Sequence, residues 1–312
     1  MRTLINELSA LLGASSLFIG DDISEKYYAD WSGADPCAPV VLVKPKTTDQ
    51  LSKVMALCHQ YDQPVVVQGG LTGLAGGATP LDGELAVSLE RMQGIEEIDP
   101  LAMTLTALAG TPLQVLQDAA DEHNLSLPLD LGARGSCQIG GNVSTNAGGT
   151  EVIRYGMTRS LVLGLEAVLA DGTVITAMNK MVKNNSGYDL KHLFIGSEGT
   201  LGIVTRVVLQ LQPKAGSSHT ALCGLNSYES ATRLLVGLKA SLGSGLTGFE
   251  LMWDNYYNKV LEMVTDIADP LEGKFPFYLL VEYKDNNAEL GSERFESALF
   301  EQLELGVIAD AV

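Results

Sequence analysis

The stretch Val65-Val66-Val67-Gln68-Gly69-Gly70-Leu71-Thr72-Gly73-Leu74-Ala75-Gly76-Gly77 sets a β-branched run directly against a loop with almost no side chains. The run reads as a buried strand. Five glycines in the nine residues from Gly69 give up backbone entropy on ordering, which a chain tolerates where φ must be positive or where something must approach the backbone closely. A phosphate is the natural guest, because successive backbone N–H groups can point at an anion without help from a cationic side chain. No Lys or Arg lies between Gly69 and Gly77. The competing reading is a tight surface crossover, and the loop alone does not separate the two.

Working outward, Val40-Val41-Leu42-Val43 is a second short strand, stopped by Lys44-Pro45. Thr47 and Gln50 then offer a capping box for a helix with Leu51, Val54, Met55 and Cys58 on one face. Strand, helix and strand make a βαβ unit, which predicts a parallel pair and puts the glycine loop at the carboxyl end of its second strand, where α/β sheets bind ligands. Residues 85–89 and 95–98 add two strands and close a first subdomain of about residues 1–98. In the second subdomain, residues 99–213, a strand is predicted over 103–109, and Thr111-Pro112-Leu113-Gln114 reads as a capping box opening a helix to about His123. Asp171-Gly172 marks a hairpin between strands over 161–170 and 173–177, so this sheet should be antiparallel. A strand over 203–211 follows, and small and polar residues at 214–218 suggest a linker. From 218 to 312, strands alternate with helices, including helices over 228–240, 253–265 and 287–305, as in a separate α/β domain that stops on a strand-like segment at 306–312.

Composition narrows the function. With 312 residues, 46% of them hydrophobic, the chain can bury a sizeable core. Its 38 acidic and 20 basic residues give a formal charge of −18, which argues against nucleic acid or an anionic membrane as a principal partner. No apolar stretch approaches a membrane span, and residues 1–12 read as an ordinary helix rather than a signal peptide, so a cytoplasmic protein is expected. Cys37, Cys58, Cys137 and Cys223 form no C-x-x-C, and the four histidines form neither H-x-H nor H-E-x-x-H. No metal site is therefore predicted.

Two further glycine-rich stretches need the same explanation as the first: Gly135-Ser136-Cys137-Gln138-Ile139-Gly140-Gly141-Asn142-Val143-Ser144-Thr145-Asn146-Ala147-Gly148-Gly149, and Phe194-Ile195-Gly196-Ser197-Glu198-Gly199-Thr200-Leu201-Gly202-Ile203-Val204-Thr205. Their spacing is not the G-x-G-x-x-G of a nicotinamide-binding fold, and no acidic residue follows about 20 positions on in a suitable βαβ frame. In this order the three stretches resemble the FAD-linked oxidases of the vanillyl-alcohol oxidase/p-cresol methylhydroxylase fold, and within them the D-lactate, glycolate and D-2-hydroxyglutarate dehydrogenases.

The resemblance implies an α+β architecture: a two-subdomain FAD-binding domain of the p-cresol methylhydroxylase type over 1–213, followed by part of an α/β cap. It implies that Gly69, Gly70, Leu71, Thr72, Gly73, Leu74, Gly76 and Gly77 wrap the FAD pyrophosphate, with Leu71 standing where the family usually has Asn. Gly135, Ser136, Gly140, Gly141, Asn142, Thr145 and Asn146 would line the ribityl and pyrophosphate path, Gly148, Gly149, Tyr155 and Gly156 would continue that wall, and Glu198, Gly199, Gly202 and Ile203 would complete the nucleotide end. Asn142 and Asn146 could instead cap turns, and Glu198 could be a helix cap. With no histidine in the first loop, the FAD should be non-covalent.

The implied reaction is oxidation of a D-2-hydroxy acid, with hydride passing from C2 to flavin N5 and electrons then to a separate acceptor. In the family, the substrate-binding and histidine-bound metal groups lie mostly in the later cap and in a C-terminal segment beyond the counterpart of Val312, so no catalytic residue is assigned here. A flavin-binding but catalytically incomplete subunit stands as the alternative, and a reductase of cell-wall precursors as a weaker third reading. A homodimer is a candidate assembly.

Overall fold

The computed structural model describes residues 1–264 and 268–312, and the chain divides into two compact units, Met1–Ala147 with Met157–Pro213, and Gly148–Gly156 with Lys214–Val312. In the first unit, helix α1 (Arg2–Leu12) buries Leu4, Leu8 and Leu12 at a spacing of four, one face of a 3.6-residue period. Strands β1 (Leu17–Phe18) and β2 (Val41–Val43) precede α2 (Thr48–Gln60) and β3 (Val65–Gln68). Thr47 caps α2 as its sequence suggests, the hydroxyl accepting from Gln50 N–H at 3.2 Å. Strand β4 (Leu85–Ser88) completes a four-stranded sheet of order β1-β2-β4-β3.

The βαβ expectation is right in direction and wrong in adjacency. Strands β2 and β3 are both parallel to β4, which lies between them. The two interior strands, β2 and β4, are buried at every residue, as strands covered on both faces require.

A second sheet is built from β5 (Ile95–Asp99), β6 (Thr104–Leu108), then, after α3 (Leu113–Asp121), β7 (Leu125–Ser126), α4 (Ile139–Ser144), α5 (Val152–Tyr155) and α6 (Thr158–Leu161), from β8 (Val162–Val168), β9 (Val174–Ala177) and, after α7 (Lys191–Phe194), β10 (Ile203–Gln210). Its order is β5-β6-β10-β8-β9 and every pairing is antiparallel. The strand expected to close the first subdomain, β5, thus opens the second sheet instead. The proposed Thr111 capping box is also absent. The Thr111 hydroxyl donates to Leu108 O at 2.7 Å and accepts from Gly94 N–H at 2.9 Å, so it closes the turn after β6 and leaves Pro112 as the cap. A two-residue strand, β11 (Gln212–Pro213), pairs with β7. One apolar core runs from α1 and α2 through both sheets to Ile139 and Val143 of α4.

The second unit contains β12 (Ser217–Leu225), α8 (Tyr228–Leu242), β13 (Leu246–Trp253), α9 (Asp254–Met263), β14 (Phe277–Asp285), α10 (Ala288–Glu304) and β15 (Asp310–Ala311). Segment 214–218, read as a linker, already enters β12 at Ser217. The predicted end of the second-last helix at Thr265 lies outside the described residues. Its sheet, β13-β14-β12-β15, is wholly antiparallel. Leu279, Val281 and Tyr283 alternate onto the face covered by α8 and α10, and Tyr278 turns to the other face with Tyr257 of α9. That period-two alternation is what a sheet covered on both sides by helices demands. No helix among the described residues is long and apolar enough to cross a membrane.

Candidate functional site

The first glycine loop leaves β3 through Gln68, which is fully buried. Its side-chain amide donates to Ala78 O at 3.0 Å across the base of the loop and to Tyr27 O at 2.8 Å. The loop is therefore closed from outside rather than within. No backbone N–H from Gly69 to Gly77 donates a hydrogen bond to any described residue, in helices, strands or loops. Leu71 has φ 59° and Gly76 φ 82°. The left-handed value is ordinary for glycine and costs a leucine roughly 1–2 kcal/mol.

The second cluster meets the first backbone to backbone. A Cβ at Gly70 would overlap the Ser136 carbonyl oxygen and lie 2.9 Å from Cys137 Cα, and one at Gly69 would lie 3.5 Å from Gln138 Oε1. Beyond that contact the cluster is folded more tightly than its composition suggests. Residues 139–144 form α4, whose opening N–H groups are already used: Ile139 donates to Thr111 O at 3.0 Å and Gly140 to Ala109 O at 2.8 Å. Gly140 is buried, and a Cβ there would come within 2.6 Å of Ala109 Cβ, so its missing side chain lets α4 press onto the end of β6. The Thr145 hydroxyl turns back to Gly141 O at 2.9 Å. Asn146, with φ 49°, accepts from Arg159 N–H at 2.9 Å, a turn-holding role.

The third cluster docks on the end of α4. Gly196 N–H donates to Val143 O at 3.1 Å and Glu198 N–H to Ser144 O at 2.8 Å. Glu198 has φ 53°, and its Oε2 lies 3.7 Å from where a Gly77 Cβ would stand, while a Cβ on Gly199 would lie 3.8 Å from Val67 of β3. Gly202 and Ile203 belong to packing: a Cβ at Gly202 would sit 2.9 Å from Val168 O, and Ile203 is in the core. Gly148, Gly149, Tyr155 and Gly156 group with the second unit. There the Arg154 guanidinium stacks 4.8 Å from the Tyr155 ring, and burial raises the Tyr155 hydroxyl pKa.

A cavity of about 940 Å³ opens where the first two clusters meet, lined among others by Gly69, Gly70, Leu71, Thr72, Gly135 and Ser136. Its opposite wall was not anticipated from sequence. Tyr27, Tyr28 and Trp31 line it, together with Lys26 and Glu90. Tyr27 OH donates to Glu90 Oε2 at 2.7 Å, Lys44 Nζ donates to Tyr27 OH at 2.6 Å and pairs with Glu90 Oε1 at 2.8 Å, and Lys26 pairs with Glu90 at 3.2 Å. Burial opposes ionisation of Glu90, yet the hydrogen bonds from Lys44 and Tyr27 outweigh it and bring the carboxyl down to about 2. Arg159 was missed as well. It donates to His192 O at 2.8 Å and to Ile195 O, tying the third cluster to the second. An Arg three residues after the glycine that closes α5 was the only signal for it.

The comparisons with known proteins fit this geometry. Residues 39–178 match the FAD binding domain family, and residues 214–312 match the C-terminal domain of FAD linked oxidases. The chain therefore carries the FAD binding domain and the C-terminal domain of the FAD linked oxidases, each as a family match. The chain is 39% identical to the mitochondrial D-2-hydroxyglutarate dehydrogenase of Arabidopsis thaliana over 99% of the chain and 55% of the relative. It is 35% identical to the D-2-hydroxyglutarate-pyruvate transhydrogenase of Saccharomyces cerevisiae over 87% of the chain and 55% of that protein. It spans about half the length of the curated relatives it matches. Among solved structures, p-cresol methylhydroxylase with substrate bound superposes with a TM-score of 0.78 at 16% identity, covering 100% of this chain and 65% of that one. The cofactor is FAD.

The residues present fit that cofactor. A cavity of about 940 Å³ is at the roomy end of the range found for ligand sites, about 300–1,000 Å³. The unpaired N–H groups of the first loop suit an anion, and Gln138, which lines the cavity, has its Oε1 buried with no hydrogen-bond partner among the described residues, although buried polar atoms are almost always satisfied.

Proposed function

We propose that this protein oxidises a D-2-hydroxy acid, of the D-2-hydroxyglutarate or D-lactate type, and passes the electrons to a separate acceptor. The observation that carries the reading is the run of nine residues, 69–77, whose N–H groups make no hydrogen bond to the described chain, set against a cavity that the second glycine cluster closes. Bound FAD would supply the hydride-accepting chemistry for oxidation at the substrate's C2. The chain's part is to hold it: the first loop takes the pyrophosphate on backbone N–H groups, with the Thr72 hydroxyl as an added donor, and Gly135, Ser136 and Asn142 flank the path. Glu198 and Gly199 hold the loop's far side. The side chains of Asn146 and Thr145 act indirectly, by fixing the turn after α4. With no histidine in the first loop, the cofactor is held without a covalent bond.

The relatives' names support the substrate class. No residue is assigned as the base that takes the hydroxyl proton, because the cavity-wall carboxylate Glu90 is engaged by Lys44, Tyr27 and Lys26. That engagement favours, as a second reading, a module that holds the flavin while other groups supply acid-base chemistry. The cytoplasm is retained as the compartment within this proposal, and cell fractionation tests it against the mitochondrial location in the name of the Arabidopsis relative. For the reaction, the FAD-loaded protein is mixed without oxygen with D-2-hydroxyglutarate, D-lactate and their L enantiomers. Loss of the visible flavin absorbance with a D acid and not its enantiomer is expected. Equal response to both enantiomers, or none to any, counts against the oxidation.

A further inference from the structure

A buried carboxylate outside the glycine clusters holds the first loop in shape. Asp30 is 8% exposed and, among the described residues, pairs with no Lys or Arg. Its charge is met by neutral donors. Oδ1 accepts from Ser32 N–H at 3.0 Å and from the Thr79 hydroxyl at 3.2 Å, and Oδ2 accepts from Ala78 N–H at 3.4 Å. The Asp30 N–H donates back to the Thr79 hydroxyl at 3.1 Å. Thr79 in turn donates its N–H to Gly76 O at 3.1 Å. Oδ2 also stands 3.4 Å from where a Gly73 Cβ would be, so the carboxylate lies under the loop's middle as well as its exit.

Burying an ionised carboxylate is costly unless its oxygens are fully hydrogen-bonded, and a negative charge close to a phosphate site is electrostatically unfavourable for the ligand. An Asp retained there is therefore doing something that outweighs both. The Asp30 pKa direction agrees: burial pushes it up, but hydrogen bonds from Ser32, Ala78 and Thr79 bring it below the ordinary carboxylate value.

The two ends of the loop are thus tied to one strap. Gln68, at the entrance, donates to Tyr27 O and reaches Ala78 O; Asp30, three residues beyond Tyr27, takes the exit at Ala78 and Thr79. Residues 69–77 make no N–H hydrogen bonds of their own within the described chain, so their shape is imposed at the ends. We propose that Asp30 is a positioning residue that pre-forms the pyrophosphate-binding loop, so that FAD meets an ordered nest of N–H groups and does not pay to order it. This rests on the FAD reading above. Pre-ordering a loop raises affinity by removing an entropy cost at binding, and it predicts an effect on cofactor affinity larger than the effect on the fold.

The test uses the full chain freed of flavin, with Asp30→Ala, Asp30→Asn and Thr79→Val. FAD affinity is measured by fluorescence titration, and hydrogen exchange is followed at the Ala78 and Thr79 amides and in the core strands. For Asp30→Ala, affinity should fall at least about tenfold, the effect of losing one or two hydrogen bonds. Ala78 and Thr79 should lose protection while strands 41–43 and 85–88 keep theirs. Asp30→Asn, which retains one acceptor oxygen, should fall between, and Thr79→Val should weaken FAD in the same sense. Should Asp30→Ala fail to fold, the other two variants decide. Unchanged FAD affinity with lost protection at Ala78 and Thr79, or weakened affinity with that protection intact, would overturn the proposal. A wild-type chain that binds no FAD would instead sink the functional reading, and the exchange data would still show whether Asp30 holds the loop.

Discussion

The first and second glycine clusters look alike in sequence and do opposite things in the structure. The loop at 69–77 leaves its N–H groups unused and its middle glycines open, with nothing closer than 3.4 Å to a Cβ at Gly73 and 3.7 Å at Gly76 and Gly77. The cluster from Gly135 is largely spent on the protein itself: α4 uses its first N–H groups on Thr111 O and Ala109 O, and Gly140 is small because Ala109 is in the way. Glycine therefore marks two physical needs, room for a ligand at the backbone and room for another part of the chain. Only the hydrogen-bond inventory tells them apart.

Substitution should break the two regions differently. Gly140→Ala forces a methyl group into Ala109 and should lower stability by about 1–3 kcal/mol, as overpacking does, leaving FAD affinity unchanged in the protein that remains folded; urea unfolding and an FAD titration read the two effects. Gly77→Ala should do the reverse. Its φ is not left-handed and its surroundings are open, so stability should shift by no more than about 0.5 kcal/mol, while affinity for FAD drops about tenfold, or ~1.4 kcal/mol, as the methyl group stands between phosphate and backbone. Equal losses in both variants would erase the distinction.

Leu71 sharpens the comparison from within the loop. It holds φ 59°, where the side chain strains the backbone and Asn is tolerated far better. Leu71→Asn should raise the thermal midpoint of the flavin-free protein, by the equivalent of roughly 1 kcal/mol. No gain in stability would mean that the left-handed turn is not kept in solution.

The wall facing both clusters should respond to pH. Glu90 has its folded pKa depressed from 4.5 to about 2, so its contribution to stability is present above about pH 4.5 and is lost as pH falls toward 2. Between pH 5 and 2 the wild-type urea midpoint should fall more than that of Glu90→Gln, and parallel curves would contradict the ion cluster. The smallest effect concerns the thiols. Burial pushes Cys58 up to about 11 and Cys223 up to about 12, so at pH 8 both should resist alkylation in the folded protein while the half-buried Cys37 reacts first, as peptide mapping would show.

Much of this was legible in the sequence because it is written in local patterns. Val65 to Gly77 announces a strand and an open loop, Thr47 announces the start of α2, and Asp171-Gly172 announces the β8–β9 hairpin. What escaped is non-local. The place of β4 between β2 and β3 lies in its pairing with both, which a four-residue run does not advertise. Thr111 could have capped α3, but a hydrogen bond to Leu108 O, part of the turn closing β6, won. The strap at Tyr27, Asp30 and Trp31 lies about 40 residues before the loop it holds, and no spacing rule connects them. Gly140, Gly202 and Ile203 were grouped with the open loop because glycine-rich motifs were read as units; burial divides those motifs residue by residue.

The central claim is that the first glycine loop and its cavity hold FAD, and its most direct measurement is a titration of the flavin-free protein with FAD, run beside Gly77→Ala. The account predicts saturable binding of one FAD per chain, with a shifted visible flavin spectrum, and clearly weaker binding by the variant. Absence of saturable binding to the folded wild-type protein, or identical binding by the variant, would contradict it.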